Sequence, residues 1–135
     1  MGPYNVSKHA VVALSETLYG ELRNAEANVG VSVLCPSYVD TKIYAAERNR
    51  PVAEKDINDP ARLEEQKLIE EAGAAFFKTA LPTDQLAAMV FEAIENEKFY
   101  ILSHKGTKAQ VEKRMNTILE DGNPSVTGPE EFPLE

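Results

Sequence analysis

Two short apolar runs constrain what this chain can fold into. Val31-Ser32-Val33-Leu34-Cys35 sits between Gly30 and Pro36, and Phe99-Tyr100-Ile101-Leu102 sits between two stretches of helical periodicity. Short, mostly β-branched or aromatic runs of this kind are the pattern of strands buried in a parallel sheet. No other segment reads as a convincing strand. A two-stranded sheet flanked by helices is a poor independent core, because both strands need neighbours along their edges and cover on both faces. The pattern alone therefore implies an α/β fold with strands missing.

The segments around the strands read as helices. The first is expected over about residues 3–27, with Val6, Ala10, Leu14, Leu18 and Leu22 in one stripe, widened by Val11 and Ala25. Pro3 suits a first turn, where its missing N–H is not needed, and Asn28 and Gly30 are expected to stop the helix in a left-handed conformation. Residues 42–58 are charged and irregular, and Pro51 interrupts them. Asp59-Pro60 then offers an acceptor cap followed by proline at the first helical position. Leu63, Leu68, Ile69, Ala72 and Phe76 give that helix an apolar side, which Gly73 weakens. Pro82-Thr83 opens the most regular helix, with Leu86, Met89, Val90, Ala93 and Ile94 on one face. A last helix is expected over about 107–120, with Val111, Met115, Ile118 and Leu119 inward and Gly122 as its stop.

Charge narrows the function classes. The 135 residues carry a formal net charge of −8, which argues against nucleic acid and anionic membranes as partners, since both demand basic surface. No apolar run approaches the length of about 18 residues that a membrane span needs, and the start of the chain has no secretory pattern. The single cysteine, Cys35, can form no internal disulfide and offers no metal-ligand spacing, so no metal is expected and Cys35 reads as a small buried hydrophobe. A cytoplasmic protein is the expectation. Residues 125–135 continue an acidic, proline-containing stretch from Glu120 and read as an irregular tail.

Tyr4 and Lys8 lie four positions apart at the start of the first helix, hence on one face and one turn from each other. A phenol beside an ammonium is a sensible acid–base pair, because the cation favours the phenolate and the helix N-terminus acts in the same direction. Taken alone, Y-x-x-x-K recurs by chance on helix surfaces and specifies nothing.

Its surroundings are more specific. Tyr4-Asn5-Val6-Ser7-Lys8-His9-Ala10, followed by Ala13-Leu14-Ser15-Glu16-Thr17-Leu18, closely resembles the active-site helix of the short-chain dehydrogenase/reductase family. Pro36-Ser37-Tyr38-Val39-Asp40-Thr41 resembles that family's P-G-x-V-x-T segment, just after a strand, and Phe99–His104 resembles the strand near the end of many members. The resemblance runs from residue 2 to about 124 and is weakest across 42–80.

The resemblance implies a partial Rossmann-type, three-layer αβα fold over residues 1–124, its C-terminal half, with 42–80 as a lid-like insertion. It implies hydride transfer between NAD or NADP and an alcohol or carbonyl substrate. Tyr4 would be the general acid/base. Lys8 would assist Tyr4 and bond the nicotinamide ribose. Val39 would meet the nicotinamide carboxamide through its backbone, Thr41 would contact the cofactor by its hydroxyl, and Pro36 and Ser37 would shape the turn. Ser37 stands where the family most often has glycine, so its backbone must suit a side chain. By the same resemblance the first helix would help form a helical dimer interface.

The glycine-rich phosphate loop, the residue that selects NAD or NADP, and the catalytic serine and asparagine that precede the tyrosine in the family have no counterparts in these residues. Met1 therefore reads as an internal methionine or a true truncation, and the chain as inactive alone. The rival reading is a non-catalytic remnant that acts as a protein-interaction or self-associating module through exposed strands. Among the remaining polar residues, Ser7 could touch the cofactor or be ordinary helix surface, and His9 reads as surface or inter-helix packing. His104 ends a strand with no assignable role. Tyr38, Tyr44, Phe76 and Phe77 could line a substrate pocket or pack a lid.

Overall fold

The computed structural model describes residues 2–51 and 59–124. The elements, in order, are α1 (Gly2–Asn24), β1 (Val33–Cys35), a 3₁₀ segment (Ile43–Asn49), α2 (Pro60–Phe77), α3 (Thr83–Glu95), β2 (Tyr100–Leu102) and α4 (Lys105–Leu119). Part of the expected insertion, residues 52–58, and the expected acidic tail, 125–135, lie outside the described residues, as does Met1. The chain forms two compact units, one spanning Tyr38–Leu86 and the other built from the residues before and after it.

In the discontinuous unit, β1 and β2 pair in parallel, with Val33 opposite Tyr100, Leu34 opposite Ile101 and Cys35 opposite Leu102. Both strands are shorter than expected. Ser32 lies just outside β1, where its hydroxyl donates to the Lys98 carbonyl at 2.8 Å, and the Val33 amide donates to Phe99 at 2.7 Å. Registered partners share a face of the sheet. Each face therefore carries one buried side chain, Val33 or Ile101, beside one exposed side chain, Tyr100 or Leu34. Cys35 and Leu102, on the face of Val33, are partly buried, so the expectation of bare apolar strands holds only for Leu34 and Tyr100.

Helix α1 meets the end of β2 through the side carrying Glu16 and Tyr19. The Tyr100 hydroxyl donates to Glu16 Oε1 at 2.6 Å, and the Tyr19 and Phe99 rings stand edge to face 5.2 Å apart. The apolar stripe read from the sequence is turned elsewhere: Val6, Val11, Leu14 and Leu18 are all exposed. Helix α3 contributes Ala93 to the buried set, while Met89 and Ile94 of its apolar face are exposed. The inward assignment of Val111, Met115, Ile118 and Leu119 on α4 is also overturned. All four are exposed, because nothing among the described residues covers that side of the helix.

The expected glycine and asparagine stops are replaced by acidic ones. Helices α1, α3 and α4 each end with a left-handed acid: Glu26 (φ 52°), Glu97 (φ 52°) and Asp121 (φ 53°). In each case the following amide reaches back to a carbonyl in the last turn: Ala27 to Leu22 at 2.9 Å, Lys98 to Ala93 at 2.9 Å, and Gly122 to Thr117 at 2.8 Å. This is the Schellman arrangement, usually built on glycine. No glycine among the described residues has positive φ. Gly30 therefore plays no left-handed role, and Gly122 is the residue after the left-handed one.

In the Tyr38–Leu86 unit, α2 starts where its sequence dictates. Asp59 is its cap, and a carboxylate oxygen accepts from the Ala61 amide at 3.0 Å and the Arg62 amide at 3.4 Å. Its covered face is a different one from that read in the sequence. Leu63, Leu68, Ile69 and Phe76 are exposed, whereas Gln66, Glu70, Gly73, Ala74 and Phe77 are partly buried. Small residues let the 3₁₀ segment approach closely, and Tyr44 lies directly against Gly73. Tyr44 stacks on Phe77 at 5.9 Å, and Tyr38 meets Phe76 edge-on at 4.9 Å. Arg48 holds the 3₁₀ segment together by donating to the carbonyls of Lys42 and Ala45.

Candidate active site

The first two turns of α1 carry the acid–base pair. Residues at i and i+4 share a helix face, and here the Lys8 Nζ stands 5.4 Å from the centroid of the Tyr4 ring. Tyr4 is 54% exposed, so its hydroxyl is open to a ligand. Ser7 donates its hydroxyl to the Tyr4 carbonyl at 2.7 Å, which commits it to its own helix in this state. His9 does the same through Nδ1 and the Asn5 carbonyl, 2.9 Å apart. The pair therefore faces solvent without competition from the neighbouring polar groups.

Pro36 and Ser37 follow β1 at the end where the strands' carboxyl termini lie, the end at which open parallel sheets bind ligands. Ser37 does not have positive φ, so a side chain sits there without the strain that would demand glycine. Its amide donates to His104 Nδ1 at 3.3 Å, and Ser103 Oγ lies 2.8 Å from the same nitrogen. His104 is thus a contact of this turn, one that sequence reasoning missed. Cys35, just before the turn, is partly rather than fully buried, and that burial raises its thiol above the ordinary range.

In the other unit, Val39 forms an isolated parallel bridge with Leu81. The bridge uses the neighbours of Val39: the Leu81 amide donates to Tyr38 at 3.2 Å, and the Asp40 amide donates to Leu81 at 2.8 Å. The alternation of a strand turns the N–H and C=O of Val39 to the opposite side, unspent by this bridge. Thr41 is exposed beyond it. Tyr4 and Lys8 are thus brought together, as are Ser37 and His104; Val39 and Thr41 belong to the second unit. Among the described residues no group of three or more His, Cys, Asp or Glu could hold a metal ion, and no helix is long and apolar enough to cross a membrane.

No protein-family model matches the chain. It is 35% identical over 127 residues to a CLA biosynthesis dehydrogenase/reductase of Lactiplantibacillus plantarum, covering 93% of this chain and 44% of that one. It is 27% identical over 115 residues to the 1-deoxy-11-beta-hydroxypentalenate dehydrogenase of Streptomyces exfoliatus, covering 85% of this chain and 33% of the other. Its fold superposes with a TM-score of 0.73 and 42% identity on a short-chain dehydrogenase/reductase from Burkholderia phymatum solved in complex with NAD, covering 95% of this chain and 45% of that chain. The chain spans less than half the length of these relatives.

Proposed function

Because the chain belongs to the short-chain dehydrogenase/reductase family and has the C-terminal half of its Rossmann-type fold, we propose that it carries the proton-transfer pair and the nicotinamide-facing segment of an oxidoreductase interconverting an alcohol and a carbonyl. The observation that carries this reading is the exposed Tyr4 with the Lys8 ammonium beside its ring. In reduction the Tyr4 hydroxyl gives its proton to the substrate oxygen; in oxidation the phenolate takes it. Lys8 holds the charge on the phenolate and donates to ribose hydroxyls. The Val39 backbone, the Thr41 hydroxyl and the Pro36–Ser37 turn face the nicotinamide end. When bound, NAD or NADP supplies or accepts the hydride.

The aromatic residues Tyr38, Tyr44, Phe76 and Phe77 belong to the segment that would form a substrate lid. The 135 residues contain no glycine-rich phosphate loop, and turnover by them alone is not part of the proposal. The deciding experiment is Tyr4→Phe, assayed by nicotinamide absorbance in the protein as its source makes it. Loss of at least about 100-fold in turnover, with fold and cofactor binding kept, is expected of a general acid/base. Unchanged turnover would remove Tyr4 from the chemistry.

A second reading has its own observation. Val6 and Leu14 on α1 are 70% and 69% exposed, an apolar surface that suits self-association, so a non-catalytic associating module is the alternative. That reading expects Tyr4→Phe to leave every measured property unchanged.

A further inference from the structure

The parallel ladder of β1 and β2 ends at the pair Cys35 and Leu102. Val33 points its N–H at β2, so by the alternation of a strand Pro36 turns its backbone to the opposite edge and takes no part in this ladder. The following donor is the amide of Ser37, and the residue opposite it in the same register is His104, 67 positions away, as in the pairs of the ladder. The imidazole takes the bond that the backbone ladder would have continued, at 3.3 Å. A backbone amide can only donate, so Nδ1 must hold a lone pair. The neutral ring with that lone pair carries its proton at Nε2, and Ser103 Oγ lies 2.8 Å from the same nitrogen, where its hydroxyl can only share the lone pair with the Ser37 amide. His104 precedes α4 in an extended conformation (φ −116°, ψ 140°) and makes no side-chain cap bond to that helix. Its Nδ1 serves the turn after β1.

We propose that His104 is a positioning residue for the cofactor-facing turn: by accepting the Ser37 N–H it fixes the backbone of Pro36–Ser37 where the sheet's own ladder stops. The role rests on the reading of that turn as nicotinamide-facing given above. His104 touches neither substrate nor cofactor in this proposal. It acts through Ser37.

Nuclear magnetic resonance on the isotopically labelled chain tests it, with nicotinamide mononucleotide as the probe because these residues would meet that half of the cofactor. In the unmutated chain the nitrogen shifts should identify Nδ1 as the unprotonated ring nitrogen. His104→Ala should speed exchange of the Ser37 amide about tenfold, the scale of one hydrogen bond. His104→Asn, whose side-chain oxygen can accept the same N–H, should restore protection. Nucleotide affinity should fall and recover in parallel.

A protonated Nδ1 in the unmutated chain overturns the proposal whatever becomes of the alanine variant's fold. So does undiminished Ser37 protection in His104→Ala. Lost protection with unchanged nucleotide affinity also overturns it, since the bond then positions nothing. If the unmutated chain shows the bond and binds no nucleotide, the cofactor reading of the turn falls and takes the role with it, while the hydrogen bond itself stands.

Discussion

Tyr44 packs against the backbone of Gly73 so closely that a β-carbon on the glycine would stand 2.9 Å from Tyr44 Cγ and nearer still to Tyr44 Cβ. Glycine inside a helix ordinarily costs about 1 kcal/mol relative to alanine. Here the substitution has no room. Gly73→Ala is expected to destabilise the Tyr38–Leu86 unit by about 1–3 kcal/mol, the usual range for overpacking. In a Tyr44→Gly background, which removes the obstructing β-carbon as well as the ring, the same change should instead stabilise by up to about 1 kcal/mol, restoring the helix preference. Urea denaturation of the four proteins of this cycle reads both signs.

The left-handed acids should be improvable. An L-residue in this conformation costs roughly 1–2 kcal/mol, and a carboxylate at a helix C-terminus opposes the helix dipole. Glu97→Gly is therefore expected to raise stability by about 1 kcal/mol, seen as a higher denaturation midpoint with an unchanged slope. A lower midpoint would mean that the Glu97 side chain contributes more than its backbone costs.

Alkaline titration has a definite sign. The hydrogen bond that Tyr100 donates to Glu16 raises the phenol above its ordinary range, with desolvation and the Glu16 charge acting in the same direction, and burial raises the Cys35 thiol. Both groups ionise less readily in the folded than in the unfolded chain. Their contributions are therefore complete below the unfolded values, about pH 8.5 for a thiol and about pH 10 for a phenol, and are lost as pH rises through the raised folded ones. Stability measured upward from neutral pH should decline in that window. Tyr100→Phe should remove the phenol's share of the decline.

The exposed stripe of α1 can be tested directly. Leu14→Glu should change stability by no more than about 0.5 kcal/mol, as at other exposed positions, since Leu14 is 69% exposed. If the stripe mediates association, sedimentation velocity should show the mass distribution moving toward the monomer. An unchanged distribution would clear that face of any role in assembly.

What could be read in the sequence was local. Asp59-Pro60 announced α2 because a cap bonds amides two and three residues away, and the structure has those bonds. The two apolar runs became the two parallel strands. The Tyr4–Lys8 contact follows from helix spacing alone. The covered face of α2 was not legible, because it depends on Tyr44, far off in sequence, finding the one glycine that admits it. The apolar positions of α4 gave a direction that nothing among the described residues meets. Helix ends at Glu26, Glu97 and Asp121 ran against the preference for glycine, which sequence reasoning relies on. His104 gave no signal beyond its place after β2, since its partner is a backbone amide, which carries no mark in the sequence.

The bridge between Val39 and Leu81 also bears on how the chain reaches its fold. Pairing Val33 with Tyr100 joins residues far apart in sequence, and closing so long a loop is a slow, entropically costly step. The bridge ties the base of the Tyr38–Leu86 unit, Asp40 to Leu81 and Leu81 to Tyr38. Once it has formed, the chain between its two ends no longer counts toward the distance the strands must search. Residues between Val39 and Leu81 can lengthen, shorten or change without altering the loop that the sheet must close. The length of the segment is thereby uncoupled from the closure of the sheet, while Thr41 and the Tyr44–Gly73 contact within it keep constraints of their own.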